Sequence, residues 1–112
     1  MTIENVQFQP LSLHLKQKAK SLYRFHSRSD FAPVAVDVQE IRNGGTSQVH
    51  REKINAGVRR DSAVERPSKW DGKVKGKAKP GFFHLVVFAW TDPKGEGDFS
   101  FARSEDRIEV SE

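Results

Sequence analysis

The chain has 112 residues, a net charge of +4 and no cysteine. That is one domain's worth of chain, 1–112, long enough to bury a core without covalent staples, and it excludes disulfides and thiolate metal sites. No apolar stretch approaches the roughly 20 residues that cross a bilayer as a helix. Met1–Glu4 shows no basic region leading into an apolar run, so a cytoplasmic protein without a membrane partner is expected.

The charge is unevenly spread. Residues 1–80 hold 16 Lys/Arg against 8 Asp/Glu, a net +8, and residues 81–112 hold 3 against 7, a net −4. A basic body with an acidic C-terminal end at 105–112 favours a polyanionic partner, either nucleic acid or the acidic surface of another protein.

Leu11–Arg28 alternates. From His14, every second residue is His14, Lys16, Lys18, Lys20, Leu22, Arg24, His26 and Arg28, while the interleaved set, Leu11 to Ser27, is uncharged. Period two predicts a strand with one basic face, long enough that it must bend or break near Ala19. A helix within 11–28 is the competing reading, because Leu11, Leu15, Leu22 and Phe25 share a helical face, although Lys18 falls on that face too.

Val34, Val36 and Val38 alternate with Ala35, Asp37 and Gln39, and Asn43-Gly44 follows. Asn-Gly supplies the positive φ of a primed turn, so Val34–Ile54 reads as a hairpin. Residues 57–81 lack periodicity and carry Gly57, Pro67, Gly72, Gly76, Pro80 and Gly81; they are expected to form a long, basic, flexible loop. Phe82–Trp90 is apolar at both parities and predicts a strand buried on both faces, with Phe88 in the core. After turn chemistry at 92–97, Phe99 and Phe101 predict a partner strand, and Arg107–Val110 a last one. The fold expected is mainly β, a small antiparallel sheet or partly open barrel of five to six strands, or α+β if 11–28 is helical.

Two stretches carry candidate chemistry. Lys16, Lys18, Lys20, Arg24 and Arg28 form a cationic line that phosphates would follow, with Tyr23 as a stacking ring. Lys73, Lys75, Lys77 and Lys79 with Trp70 make a second, loop-borne clamp. The bland alternatives are a solvated outer face over a core Tyr23 and an unstructured surface loop. The four histidines, His14, His26, His50 and His84, have no metal-site spacing, neither phosphate-loop nor nucleophile-elbow motifs occur, and no metal or other cofactor is expected.

The function expected from these residues is a non-enzymatic module for single-stranded DNA or RNA. An inhibitor or adaptor that binds an acidic protein surface is the alternative. A metal-independent ribonuclease using His14, His26 or His84 as acid and base is the third.

Overall fold

The computed structural model describes residues 2–14, 21–32, 34–54, 57–90, 92, 94 and 96–112. Its strands, in chain order, are β1 (Ile3–Gln9), β2 (Ser12–His14), β3 (Ser21–Ser27), β4 (Val34–Arg42), β5 (Gly45–Ile54), β6 (Ser62–Ser68), β7 (Lys73–Val74), β8 (Lys77–Ala78), β9 (Gly81–Trp90), β10 (Phe99–Arg103) and β11 (Ile108–Ser111). The protein is mainly β. No helix among the described residues is long and apolar enough to cross a membrane.

The alternation of Val34, Val36 and Val38 yields the hairpin it predicts. β4 and β5 pair antiparallel about Asn43-Gly44, with a bulge opposite Val38/Gln39. The turn is not the primed one expected, since of the two turn residues only Gly44 has a left-handed φ, at 88°. A positive φ at the second central position alone fits a type II turn, where glycine meets no Cβ clash.

β9 is the axis of the larger sheet. β4 runs antiparallel along one edge, while β10 and then β11 occupy the other. Ser104 closes the gap between those two strands: its N–H donates to the Leu85 carbonyl at 2.8 Å, and its Oγ accepts from the Leu85 N–H at 3.2 Å. β2 joins β11 in parallel, so the six-stranded sheet is mixed rather than purely antiparallel. A second, antiparallel sheet has the order β1-β3-β6, and β7 and β8 form a separate hairpin. The two larger sheets do not close into a barrel.

One apolar cluster joins both sheets. Phe8 of β1 and Phe25 of β3 meet Val34, Val36 and Val38 of β4 and Phe83, Leu85, Val87 and Ala89 of β9, all essentially without solvent exposure. Burying a side chain such as Phe83 stabilises the fold by about 1.5–3 kcal/mol.

Four sequence expectations change. The stretch 11–28 is not one strand: β2 and β3 belong to different sheets, and residues 15–20 between them lie outside those described. Within β3 the expected alternation holds, with Ser21, Tyr23, Phe25 and Ser27 buried and Leu22, Arg24 and His26 turned outward. The expected loop 57–81 contains β6 and the β7–β8 hairpin. β6 is an edge strand held by backbone pairing to β3; its side chains are largely exposed, which removes the periodicity that would reveal it, and an edge also tolerates Pro67. β1 went unread because a bulge between Glu4 and Gln7, with Asn5 at φ 52°, moves its buried residues from the parity of Ile3 to that of Val6 and Phe8. Finally, the outer face of β9 is covered only in part. Val86 is buried there, but Phe88 and Trp90 are half-buried and Phe82 is exposed.

Candidate functional site

The residues expected to bind do not assemble into one cationic line. Lys16, Lys18 and Lys20 lie outside the described residues. Arg24 projects outward from β3 and meets Glu65, its cross-strand partner on β6, at 3.8 Å. Arg28 pairs with Glu4 at 3.0 Å. Lys73 lies 4.0 Å from Asp71, and Lys79 reaches Glu40 at 3.0 Å. Only Lys75 and Lys77, of the six described cations in the expected site, lack an ion pair among the described residues.

The two expected stacking rings are interior. Tyr23 and Trp70 are each only 3% exposed, so neither ring offers a face to a base. Trp70 packs edge-on against Phe83, centroids 4.9 Å apart, and its Nε1–H donates to the Lys73 carbonyl at 3.1 Å. It therefore ties the lysine hairpin to the core. Lys75 and Gly76 both have left-handed φ, 54° and 76°, the signature of a two-residue primed turn.

A different surface combines aromatic and cationic groups. On the outer face of the large sheet, Phe88 and Trp90 of β9 stand beside Phe101 and Phe99 of β10, their cross-strand partners. Phe88 has its ring centroid 5.8 Å from that of Phe101 and 5.9 Å from that of Phe99, and Trp90 lies 6.2 Å from Phe99. Phe99 and Phe101 are 53% and 64% exposed, large values for phenylalanine in a folded domain. Alternation places Arg103 on the same face of β10, and further along β9 the Arg107 guanidinium lies 4.7 Å from the centroid of Phe82.

Arg51 fixes the boundary of this face. It stands opposite Asp37 in the β4–β5 register, donates from Nε to Oδ1 at 2.6 Å and from Nη2 to Oδ2 at 2.8 Å, and sits 5.5 Å from the centroid of Phe88. Those hydrogen bonds raise the already high pKa of Arg51, so the cation persists at every working pH. Asp37, 1% exposed, is satisfied by the same two bonds.

On its other side Arg51 belongs to a groove of about 700 Å³ between the edges of β5 and β6. Arg51, Lys53, Arg66 and Lys69 line it together with a single carboxylate, Glu52. Tyr23 also lines it, and burial, then the charge of Glu52, push its phenol up to about 12 against a smaller opposing effect of Arg66. That hydroxyl stays protonated at neutral pH, as a hydrogen-bond donor.

The three histidines weighed for catalysis do not converge. His14 Nδ1 lies 3.3 Å from the Glu112 carbonyl and 3.2 Å from Ser111 Oγ, beside β11. His26 faces outward on β3, in the other sheet. His84 is on the outer face of β9; burial, then the charge of Arg103, lower its pKa against a hydrogen bond to the Asp106 backbone. His50, not among the histidines weighed for catalysis, lies in the groove. Its Nε2 is 3.0 Å from Glu52 Oε1, the i, i+2 spacing that puts both side chains on one side of a strand.

A scan of protein-family models finds no match to this chain, and neither does a search of the curated proteins.

Proposed function

We propose that this protein binds single-stranded nucleic acid, with bases stacking on the aromatic outer face of the large sheet and backbone phosphates following the adjoining groove. The observation that carries this reading is that the two surfaces adjoin at Arg51: its guanidinium stacks on Phe88, and the residue also borders the groove. Unpaired bases offer free π-faces to Phe99 and Phe101, and each stacking contact contributes about 1–3 kcal/mol. A duplex keeps those faces inside its own stack, so the reading requires single strands. The binding residues named here replace Tyr23 and Trp70 as the stacking rings.

The test is fluorescence anisotropy with a labelled oligothymidylate, an oligouridylate and a duplex of equal length. Tighter binding of the single strands, lost on Phe99→Ala with Phe101→Ala, supports the reading. Equal affinity for duplex and single strand, or indifference to both substitutions, overturns it.

One observation favours a second reading, in which the same face docks an acidic protein. Exposed aromatic rings beside arginine are the composition of protein-interface hot spots. Oligonucleotide binding that does not strengthen with oligonucleotide length would favour the protein partner.

A further inference from the structure

We infer that the groove between β5 and β6 is also a catalytic site, cleaving RNA phosphodiesters by attack of the 2′-hydroxyl, with His50 as the base. This rests on the reading above, that the ligand is a single strand whose backbone enters the groove, and adds a reaction to it.

The carboxylate that orients His50 is held from three sides. Glu52 Oε1 accepts from Ser68 Oγ at 3.2 Å and from the Lys69 backbone N–H, and it meets His50 Nε2 at 3.0 Å. Ser68 and Lys69 come from the end of β6, so the second sheet fixes an acid carried by the first. A carboxylate oxygen held in this way accepts a hydrogen bond from Nε2–H, which keeps the proton on Nε2 and leaves the lone pair on Nδ1 of the ring. Nδ1 has no hydrogen-bond partner among the described residues. An imidazole whose tautomer is set by a fixed carboxylate, in an open cationic cleft, has the arrangement of a general base with its orienting group.

Among the described residues no serine, threonine or cysteine lines the groove, and the neighbouring Ser68 hydroxyl is bonded to Glu52; the nucleophile of this reaction is the substrate's own. RNA supplies it. His50 Nδ1 takes the 2′-hydroxyl proton as the 2′ oxygen bonds to phosphorus. The P–O5′ bond breaks, the departing 5′ oxygen takes a proton from a solvent water, and the imidazolium returns its own to the hydroxide left behind. The products are a 2′,3′-cyclic phosphate and a 5′-hydroxyl, with no change of oxidation state. Arg66, Lys69 and the protonated Tyr23 hydroxyl are the groove's donors for the charge that builds on the non-bridging oxygens.

The experiment incubates the protein with a 5′-labelled oligouridylate in EDTA and follows the products, using its 2′-O-methyl counterpart as control and His50→Gln protein purified in parallel. Wild-type protein is expected to release fragments ending in 2′,3′-cyclic phosphate and to leave the 2′-O-methyl strand whole. His50→Gln is expected to cleave about 100-fold more slowly with an unchanged thermal midpoint. Intact oligouridylate with wild-type protein, or equal cleavage by His50→Gln, overturns the inference. Binding of oligothymidylate by the same wild-type sample separates the two failures. Tight binding with RNA left intact removes only the reaction, whereas no binding to either strand removes the reading beneath it.

Discussion

Asp37 and Arg51 face one another across the β4–β5 ladder and are joined by two hydrogen bonds of 2.6 and 2.8 Å. The carboxylate is buried, and the guanidinium is about one-third exposed at the rim of the aromatic face. Removing the cation therefore costs more than the pair contributes, because Asp37 is left charged and without its donors. Arg51→Ala is expected to lower the unfolding free energy by about 2–3 kcal/mol, measured by urea titration, and to weaken single-strand binding as well. A stability loss under about 0.5 kcal/mol, the range of an ordinary surface change, would mean that Asp37 does not depend on Arg51.

The two sides of the large sheet separate folding from binding. Phe99→Ala and Phe101→Ala remove exposed rings and are expected to change stability by less than about 0.5 kcal/mol each, while each costs about 1–3 kcal/mol of binding. Phe83→Ala, on the covered face of β9, is expected to cost about 3–5 kcal/mol of stability. Phe88, half-buried on the outer face, should fall between them. Anisotropy and urea unfolding on the same four proteins check this, and a Phe101→Ala protein that unfolds as readily as Phe83→Ala would place that ring in the core.

These assignments show which parts of the molecule the sequence could reveal. Val34, Val36 and Val38 before Asn43-Gly44 were legible as a hairpin because one covered face and a local turn suffice to define it. Tyr23 and Phe25 alternating with Arg24 and His26 were legible as a strand for the same reason. β6 was not, because an edge strand can be held by backbone pairing alone, and hydrophobic period carries no trace of that. The aromatic face was not legible for a related reason: Phe88 and Trp90 look as buried as Phe83 and Leu85 until the fold shows that the outer face of the sheet is covered only in part. His50 and Glu52 announced a shared strand face by their spacing, but their significance depends on Ser68 and Lys69, which only the tertiary fold brings to them.

Four cations line the groove, and they set the salt dependence. If Arg51, Lys53, Arg66 and Lys69 each neutralise one phosphate of a single strand, log Kd against log salt has a slope of magnitude about 3. Lys53→Gln with Lys69→Gln should reduce it to about 1.5. Titrations at several potassium chloride concentrations measure both. A slope near zero for the wild-type protein would show that phosphates do not occupy the groove.

Lys75 and Lys77 sit exposed at the primed turn of the β7–β8 hairpin, without ion pairs among the described residues. Charges so placed steer an approaching polyanion more than they hold a bound one. Lys75→Glu with Lys77→Glu is expected to slow association several-fold at low salt and to leave dissociation nearly unchanged, as stopped-flow kinetics can resolve. A change confined to the dissociation rate would instead put the hairpin in direct contact with the strand.

Glu40 links the other end of that hairpin to the large sheet, and it makes the fold sensitive to acid. Its carboxylate, almost fully buried, accepts a hydrogen bond from Arg42 Nε at 2.6 Å and forms an ion pair with Lys79 Nζ at 3.0 Å. Burial alone would raise its pKa, but these two partners together outweigh burial and lower it below the ordinary 4.5. A carboxyl more acidic in the folded chain than in the unfolded one stabilises the fold above its unfolded value, and that contribution disappears as pH falls from about 4.5 through the lower folded value. Arg42 and Lys79 are about half exposed, so solvent screens the pairs and keeps that contribution small. Glu40→Gln should therefore lower the urea midpoint at pH 7, and the gap from wild type should close as the two proteins are compared at progressively lower pH. A gap that persists unchanged at pH 2 would mean that the side chain's packing, and not its charge, fixes Lys79 against β4.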